Sequence, residues 1–374
     1  MQRGELEPSQ LGNYPLLDKE HVIHNLNKIV TISEKKGIVS KTGGTTGASM
    51  KVIYTKSDLQ ERFAILDDFR SRYGYTLGKK TAWFSGKSLL GPKDLEKGIC
   101  YRDDFINKIR FFSTFHVNEA NFDIYWQALV NFKPEFIVGF PSSVFDICTI
   151  AKSRGLRLDF DIKVMFPTAE TVLGIHRDIF LEILGCKTVD QYSASEGAPF
   201  ILECESGNLH FHPLTGIVEV LDQNLQPSRK GELVVTSFTT HGTPLVRYRI
   251  GDFMVWGDTE SYCNCGSIFP IVESLEGRTT DCIWSEENGR VNQGNLSNCT
   301  KGVDGIVTFQ IVQNLPNKID VFLVTTSRYN ERSKNVFLNN LYERVGQKMQ
   351  IELHIVDNIP REKSGKFRFL KNCL

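Results

Sequence analysis

The chain has 374 residues, enough for a sizeable core and two or three domains at roughly 150 residues each. Its 44 Lys and Arg balance 44 Asp and Glu, so no global field draws nucleic acid or an anionic membrane to it. At 41% hydrophobic and 24% charged residues the composition is globular, which excludes a disordered or fibrous chain. The opening Met1-Gln2-Arg3-Gly4-Glu5-Leu6 has no apolar core of a secretory signal. No apolar run approaches the ~18 residues of a spanning helix, so a cytoplasmic protein without a membrane span is expected. A first helix is predicted from Pro15-Leu16-Leu17-Asp18, with Asp18 as its cap. Next comes Lys41-Thr42-Gly43-Gly44-Thr45-Thr46-Gly47-Ala48-Ser49, followed by the strand-like Lys51–Tyr54. Glycines let a backbone approach a ligand closely, and threonine hydroxyls add donors suited to phosphate oxygens. The loop lacks the Gly-Lys-Ser/Thr of a Walker motif, and taken alone it reads equally well as a surface turn.

Ser57-Asp58-Leu59 is expected to cap an amphipathic helix running to about Tyr73, with Leu59, Phe63, Leu66 and Phe69 as its apolar stripe. Thr81–Gly86 reads as a short buried strand and turn. A helical pattern over Glu119–Phe132 is broken by Lys133-Pro134, then strand Phe136–Pro141 leads into a helix from Ser142. Ile162–Pro167 repeats the scheme, with a helix over Val172–Leu184 and a strand over Lys187–Tyr192. This alternation predicts α/β layering on parallel strands. From Gly216 the helices stop: Ile217–Leu221 and Glu232–Thr236 predict an antiparallel meander or barrel. Beyond Gly277, strands over Gly305–Val312, Ile319–Thr325 and Gln350–Val356 with a helix over Arg332–Val345 predict a small α+β unit. The expected domains are 1–277, with a β-rich part over about 200–277, and 278–374.

Four further short stretches stand at strand ends or turns: Tyr192-Ser193-Ala194-Ser195-Glu196-Gly197, Arg247-Tyr248-Arg249-Ile250-Gly251-Asp252, Gly277-Arg278-Thr279-Thr280-Asp281 and Pro360–Arg368. In an open α/β sheet, ligands sit beyond the carboxyl ends of the strands. Singly, each stretch is equally a capped turn, a strand-end ion pair or a solvated tail.

Together and in order, these stretches resemble the motifs of the adenylate-forming superfamily of acyl-CoA synthetases, most closely its phenylacetate–CoA ligase branch with the relatives found in capsule and polysaccharide biosynthesis. Thr42–Ser49 is similar to that family's phosphate loop, Tyr192–Glu196 to its Tyr-Gly-x-Ser/Thr-Glu, Arg247–Asp252 to its Tyr-Arg-x-Gly-Asp, Gly277-Arg278 to its hinge, and Pro360–Lys366 to its closing Gly-Lys motif. Phe166–Glu170 stands where the branch has Gly-Ala-Glu. The resemblance implies a large N-terminal domain of layered α/β and barrel-like parts, followed by a small, mobile α+β domain. It implies that Thr42, Gly43, Gly44, Thr45, Thr46 and Gly47 close over the ATP phosphates, and that Tyr192 packs on adenine beside Ala169 and Glu170. By the same resemblance Ser195 contacts phosphate, Glu196 holds Mg²⁺, Asp252 binds the ribose with Arg278 nearby, and Lys366 joins the attacking carboxylate to the α-phosphate. Two departures are visible: Thr280 stands where the family's hinge has Asp or Lys, and relatives carry a longer helical segment before the region that begins here at Met1.

Nine cysteines, an odd number scattered along the chain, predict reduced thiols rather than a disulfide framework. Cys204, His210, Cys263 and Cys265 fall in the β-rich part and form a Cys₃His set suited to structural zinc, with His212 as the alternative to His210 and buried free thiols as the alternative to a metal. Some members of the resembling branch hold zinc with such a set. His116, after Phe111–Phe115, is read as a core histidine. The function implied is ATP-dependent activation of a small carboxylic acid to an acyl-adenylate, with pyrophosphate released and the acyl group passed to CoA. The alternatives are transfer to an amine or sugar acceptor in polysaccharide decoration, or a degenerate nucleotide-binding scaffold. The sequence leaves the oligomeric state open; the resemblance alone makes a homodimer one possible arrangement, since family members are often dimers.

Overall fold

Short, continuously apolar runs such as Phe136-Ile137-Val138 suit strands covered on both faces, because neither face can tolerate a polar side chain. The computed structural model describes residues 8–41, 50–258, 262–278 and 282–374. Its contacts divide the chain into two units: Met1–Arg72 with Gln191–Arg278, and Tyr73–Asp190 with Thr279–Leu374. The whole is a mixed α/β fold, as the alternation predicts.

In the unit built from Tyr73–Asp190 and Thr279–Leu374, a six-stranded sheet runs in the order Tyr101–Asp104, Ile109–Ser113, Thr81–Ser85, Phe136–Gly139, Val164–Pro167, Lys187–Thr188. All neighbours are parallel except the edge strand Tyr101–Asp104. The register aligns Phe84 with Gly139 and Gly139 with Pro167, so three strands end side by side. Helices Phe122–Phe132, Pro141–Ser153 and Gly174–Leu184 connect them. Phe84 and Phe112 stack at 4.7 Å within a core that includes Ile137, Met165 and Phe180. Gly139 has φ +143°, and a Cβ there would lie 2.0 Å from the Phe84 carbonyl oxygen, so no other residue fits the strand end.

The same unit holds a second, four-stranded sheet, in the order Gln350–Ile355, Lys318–Thr325, Ile306–Leu315, Leu370–Asn372, covered by helix Glu331–Val345. This is the α+β arrangement read from the alternating pattern, with its own core around Phe309, Ile311, Phe337 and Leu341. Val307 and Val324 also reach the core of the parallel sheet, which explains why the two sheets group together.

The other unit carries a seven-stranded antiparallel sheet, ordered Gly216–Leu221, Lys230–Ser237, Tyr248–Trp256, Ile271–Arg278, Leu209–Phe211, Phe200–Glu203, Gln191–Ser193. The stretch read as one strand, Lys187–Tyr192, is therefore two: Lys187–Thr188 pairs parallel with Val164–Pro167, while Gln191–Ser193 pairs antiparallel with Phe200–Glu203. Asp18 caps helix Lys19–Ile29 by accepting from the His21 backbone N–H at 2.8 Å. The next helix, Lys56–Ser71, starts two residues earlier than expected. Thr55 is its cap and Asp58 closes a capping box, each side chain taking the other's backbone N–H. Asp58 also accepts from the backbone N–H of His241 and Gly242, and this long-range demand is invisible in the local sequence.

Candidate functional site

Strand Gln191–Ser193 delivers the chain into the turn Ala194-Ser195-Glu196-Gly197. Gly197 has φ +93°, and a Cβ there would meet Ser237 Oγ at 2.2 Å, so the turn closes only around glycine. Tyr192 Oη donates to Asp252 Oδ2 at 2.6 Å, joining two of the expected site residues 60 positions apart. Asp252 lies on strand Tyr248–Trp256, opposite Arg278 in the ladder. Ser195 is exposed, and Glu196 is buried to 7% exposure. The expected phosphate loop, Thr42, Gly43, Gly44, Thr45, Thr46 and Gly47, lies outside the described residues, as do Thr280 and the side chain of Arg278.

Two residues not foreseen from the sequence hold this turn. Arg62 donates from Nη1 to the Gly197 carbonyl at 2.6 Å and from Nη2 to the Ala194 carbonyl at 2.9 Å, with its guanidinium 4.6 Å over the Phe200 ring. Tyr54 donates its hydroxyl to the Ser195 carbonyl. Burial, followed by the nearby Glu196 charge, pushes the Tyr54 phenol up to about 12 despite Arg62. The signal was present: at 3.6-residue spacing Arg62 falls on the stripe of Leu59, Leu66 and Phe69. It takes the inward place assigned to Phe63, which is 53% exposed.

At the carboxyl ends of the parallel strands, Ala169 adopts left-handed φ +65° just after Val164–Pro167. This turns Glu170 back across the strand ends. Its carboxylate accepts from the Ser142 backbone N–H at 3.0 Å, the Ser142 hydroxyl at 3.0 Å and the Phe367 backbone N–H at 2.7 Å. The last bond joins it to the Pro360–Lys366 motif. Arg361 donates to Ser142 Oγ at 2.7 Å and to Asp146 Oδ2 at 2.8 Å. Gly365, at φ +80°, closes a turn in which the Glu362 N–H donates to the Lys366 carbonyl at 3.0 Å. The turn sits against Gly86 and Thr114: a Cβ on Gly86 would fall 1.6 Å from the Ser364 carbonyl oxygen. Lys366, half-buried, follows at once. His116, read as a core histidine, is only half-buried and pairs with Ser113 Oγ at 2.9 Å.

Asp146 and Arg361 were also missed. Asp146 is a carboxylate within Pro141–Ser153, a helix with nine buried residues, where a charge without a partner would be too costly to keep. Burial pushes it up to about 7, against the pull of Arg361.

The third constellation is the cysteine set. Cys204, His210, Cys263 and Cys265 present one ligand atom each, all within 4.8 Å of one another. Cys204 and Cys263 sulfurs lie 3.6 Å apart, and Cys265 Sγ is 3.5 Å from His210 Nε2. A tetrahedral zinc with bonds of about 2.3 Å to sulfur and about 2.05 Å to nitrogen requires edges of about 3.8 and 3.6 Å. His210 Nδ1 is 2.9 Å from the Phe269 carbonyl, which holds the proton on Nδ1 and turns Nε2 toward the sulfurs. Burial raises the Cys263 thiol, but hydrogen bonds, led by that from Asn208, outweigh it and bring it down to about 6. Among the described residues the donor set fits zinc. His212 instead packs edge-on against Phe269 at 5.0 Å.

The fold that carries these groups has solved counterparts. 2-Hydroxyisobutyryl-CoA ligase in the postadenylation state, in complex with R3-HIB-AMP, matches with a TM-score of 0.73 at 17% identity, over 98% of this chain and 83% of that one. The anthranilate CoA ligase AuaEII in complex with anthranoyl-AMP matches with 0.58 at 12% identity, over 88% and 64%. The fold is that of the adenylate-forming ligases. Residues 283–373 match the family described as the CapK C-terminal domain. Protein CapK of Staphylococcus aureus is 32% identical over 372 residues, 97% of this chain and 80% of CapK. The chain belongs to the CapK family. Among the described residues no helix is long and apolar enough to cross a membrane.

Proposed function

We propose that the chain activates a carboxylic acid with ATP and passes the acyl group to the thiol of CoA. The carboxylate oxygen attacks the α-phosphorus, the bond to the bridging oxygen of pyrophosphate breaks, and acyl-adenylate and pyrophosphate form. The thiol then displaces AMP. The observation that carries this reading is the meeting of Glu170 with Phe367, which brings the Thr168–Glu170 and Pro360–Lys366 motifs together across 197 residues.

Each group's part follows from charge. Carboxylate and α-phosphate are both anions and repel, so an ammonium at the point of attack lowers the barrier by neutralising charge as it develops. Lys366 is assigned that part. Tyr192 and Asp252 are assigned to adenine and ribose, Asp252 being the acceptor that sugar hydroxyls need, with Ala169 and Glu170 beside the base. Thr42–Gly47 and Ser195 are assigned to phosphate, and Arg278 to the neighbourhood of the ribose. Magnesium usually takes one or two carboxylates and completes its shell with phosphate oxygens and water. The single buried carboxylate of Glu196, in a turn fixed by Arg62, suits that donor set. Zinc at Cys204, His210, Cys263 and Cys265 would be structural, since four protein donors fill a tetrahedron. On this reading the segment from Arg278 is the mobile domain, turning about Gly277–Asp281 between half-reactions, and the enzyme works in the cytoplasm.

A second reading replaces CoA with an amine or sugar acceptor in polysaccharide decoration. It is favoured by sequence kinship with CapK at 32%, whereas the likeness to CoA ligases stands at 17%. Acid-dependent pyrophosphate release from a mixed pool of carboxylic acids, with the acyl-adenylate detected by mass spectrometry, tests the activation step. Assays with and without CoA separate the two acceptors. Lys366→Ala should slow adenylation on the order of a hundredfold, about 3 kcal/mol, by analogy with loss of one oxyanion donor. Unchanged release in that variant refutes the role of Lys366. ATP binding without release across the pool would point to a scaffold instead.

A further inference from the structure

Arg361 is more deeply buried than a charge in a terminal basic stretch has reason to be, its side chain being only 7% exposed. It lies between Asp146 Oδ2 at 2.8 Å and Ser142 Oγ at 2.7 Å, with Glu170 Oε1 4.0 Å away. The hydroxyl of Ser142 donates in turn to the Glu170 carboxylate, which also accepts from the Phe367 N–H. Four elements are thereby tied: the start of helix Pro141–Ser153, its second turn, the loop after Val164–Pro167, and both sides of the Gly365-Lys366 turn. Nothing in the assigned chemistry requires this network, and a buried charge set is expensive unless it specifies a position. We propose that Arg361 is a positioning residue, a latch that closes on Asp146, Ser142 and Glu170 to seat the Lys366 turn against Gly86 and Thr114.

The proposal rests on the acid-activation reading for its consequence, which is that an open latch slows adenylation by withdrawing Lys366. Its structural content stands apart from that reading. When the latch opens, Asp146 becomes a buried carboxylate without its cation and binds a proton more tightly. The charged groups facing Asp146 are Arg361 and Glu170. Asp146 titrates near 7 with the latch closed and higher with it open, so closure releases a proton. The closed state is therefore favoured as pH rises through about 7 and weakens as pH falls through it.

The test is amide hydrogen exchange by mass spectrometry on the full-length apo chain, reading the peptide that contains Phe367. Arg361→Met and Asp146→Asn should each lower its protection about ten- to a hundredfold, the scale of losing a hydrogen bond to a charged group. Gly86→Ala should do the same without touching the latch charges, because its Cβ would collide with the Ser364 backbone. In the wild type, protection corrected for intrinsic rate should rise with pH through about 7, and in Asp146→Asn it should be flat. Protection within twofold of wild type in both latch variants, with strand Ile306–Leu315 still protected, overturns the proposal. Loss in Gly86→Ala alone also overturns it, leaving a purely steric seat. Loss of protection in the latch variants of a protein that releases no pyrophosphate leaves the latch standing and removes the acid-activation reading.

Discussion

On the structural-zinc reading proposed above, replacing Cys265 with serine should remove the metal from the Cys₃His set and destabilise the antiparallel sheet by a measurable amount. The four donors come from two segments, the hairpin Phe200–Glu203 with Leu209–Phe211, and the stretch 262–269 before strand Ile271–Arg278. The two segments are also joined by backbone pairing, Leu209 with Val272 and His210 with Ile271. Zinc would therefore have only the loop ends to order, and would contribute far less than the roughly 10–16 kcal/mol seen when it folds a whole finger. At free zinc a hundredfold above its dissociation constant, binding to the folded state alone adds about 2.7 kcal/mol. At roughly 2 °C per kcal/mol for a chain of this size, the midpoint of thermal unfolding should fall by about 5 °C. Calorimetry gives the shift, and elemental analysis of protein purified without chelator should give one zinc per chain in the wild type and none in Cys265→Ser. Wild-type protein free of zinc, or a serine variant that keeps both its metal and its melting temperature, would refute the reasoning.

Two further outcomes follow from buried charge. Arg62→Met should loosen the Ala194–Gly197 turn, since two charge-assisted bonds to its carbonyls disappear. Each is worth about 1.5–3 kcal/mol, and Thr239 and the turn's own N–H supply part of the replacement. Affinity for Mg·ATP should then drop about tenfold by calorimetric titration, and an unchanged affinity removes Arg62 from the site. His176 is enclosed by Phe145 and Phe180, and burial drives it down to about 3, so it stays neutral in the folded chain. The unfolded chain binds a proton at about 6.5, so the folded state loses up to about 1.4 kcal/mol per pH unit as pH falls from there toward 3. Asp146 acts in the opposite sense, because its raised value favours the protonated folded state between about 4 and 7. Urea unfolding of His176→Gln should therefore be compared with the wild type at each pH. The gap should narrow by that slope, and a constant gap would contradict a neutral buried histidine.

The sequence alone determined what depends on nearest neighbours along the chain. Strand and helix alternation follows from spacing of apolar residues, and the cap at Asp18 follows from a side chain reaching three residues ahead. The order of short motifs, from the Gly/Thr loop to Gly365-Lys366, identified the fold, because glycines and charges at turns are read locally. Tertiary structure decided whatever depended on partners distant in sequence. Thr55 displaced Ser57 as a cap because Asp58 was needed at N3 and by the 241–242 backbone. Arg62 took the inward place of Phe63 because Gly197 and Ala194, more than 130 positions away, offered carbonyls to it. His210 rather than His212 joined the cysteines because strand Leu209–Phe211 ends between them, so the two rings no longer share a face. Arg361 read as part of a solvated basic tail, and Asp146 was not singled out at all. Each charge makes sense only once the fold closes the 215 residues between them, which no local pattern encodes.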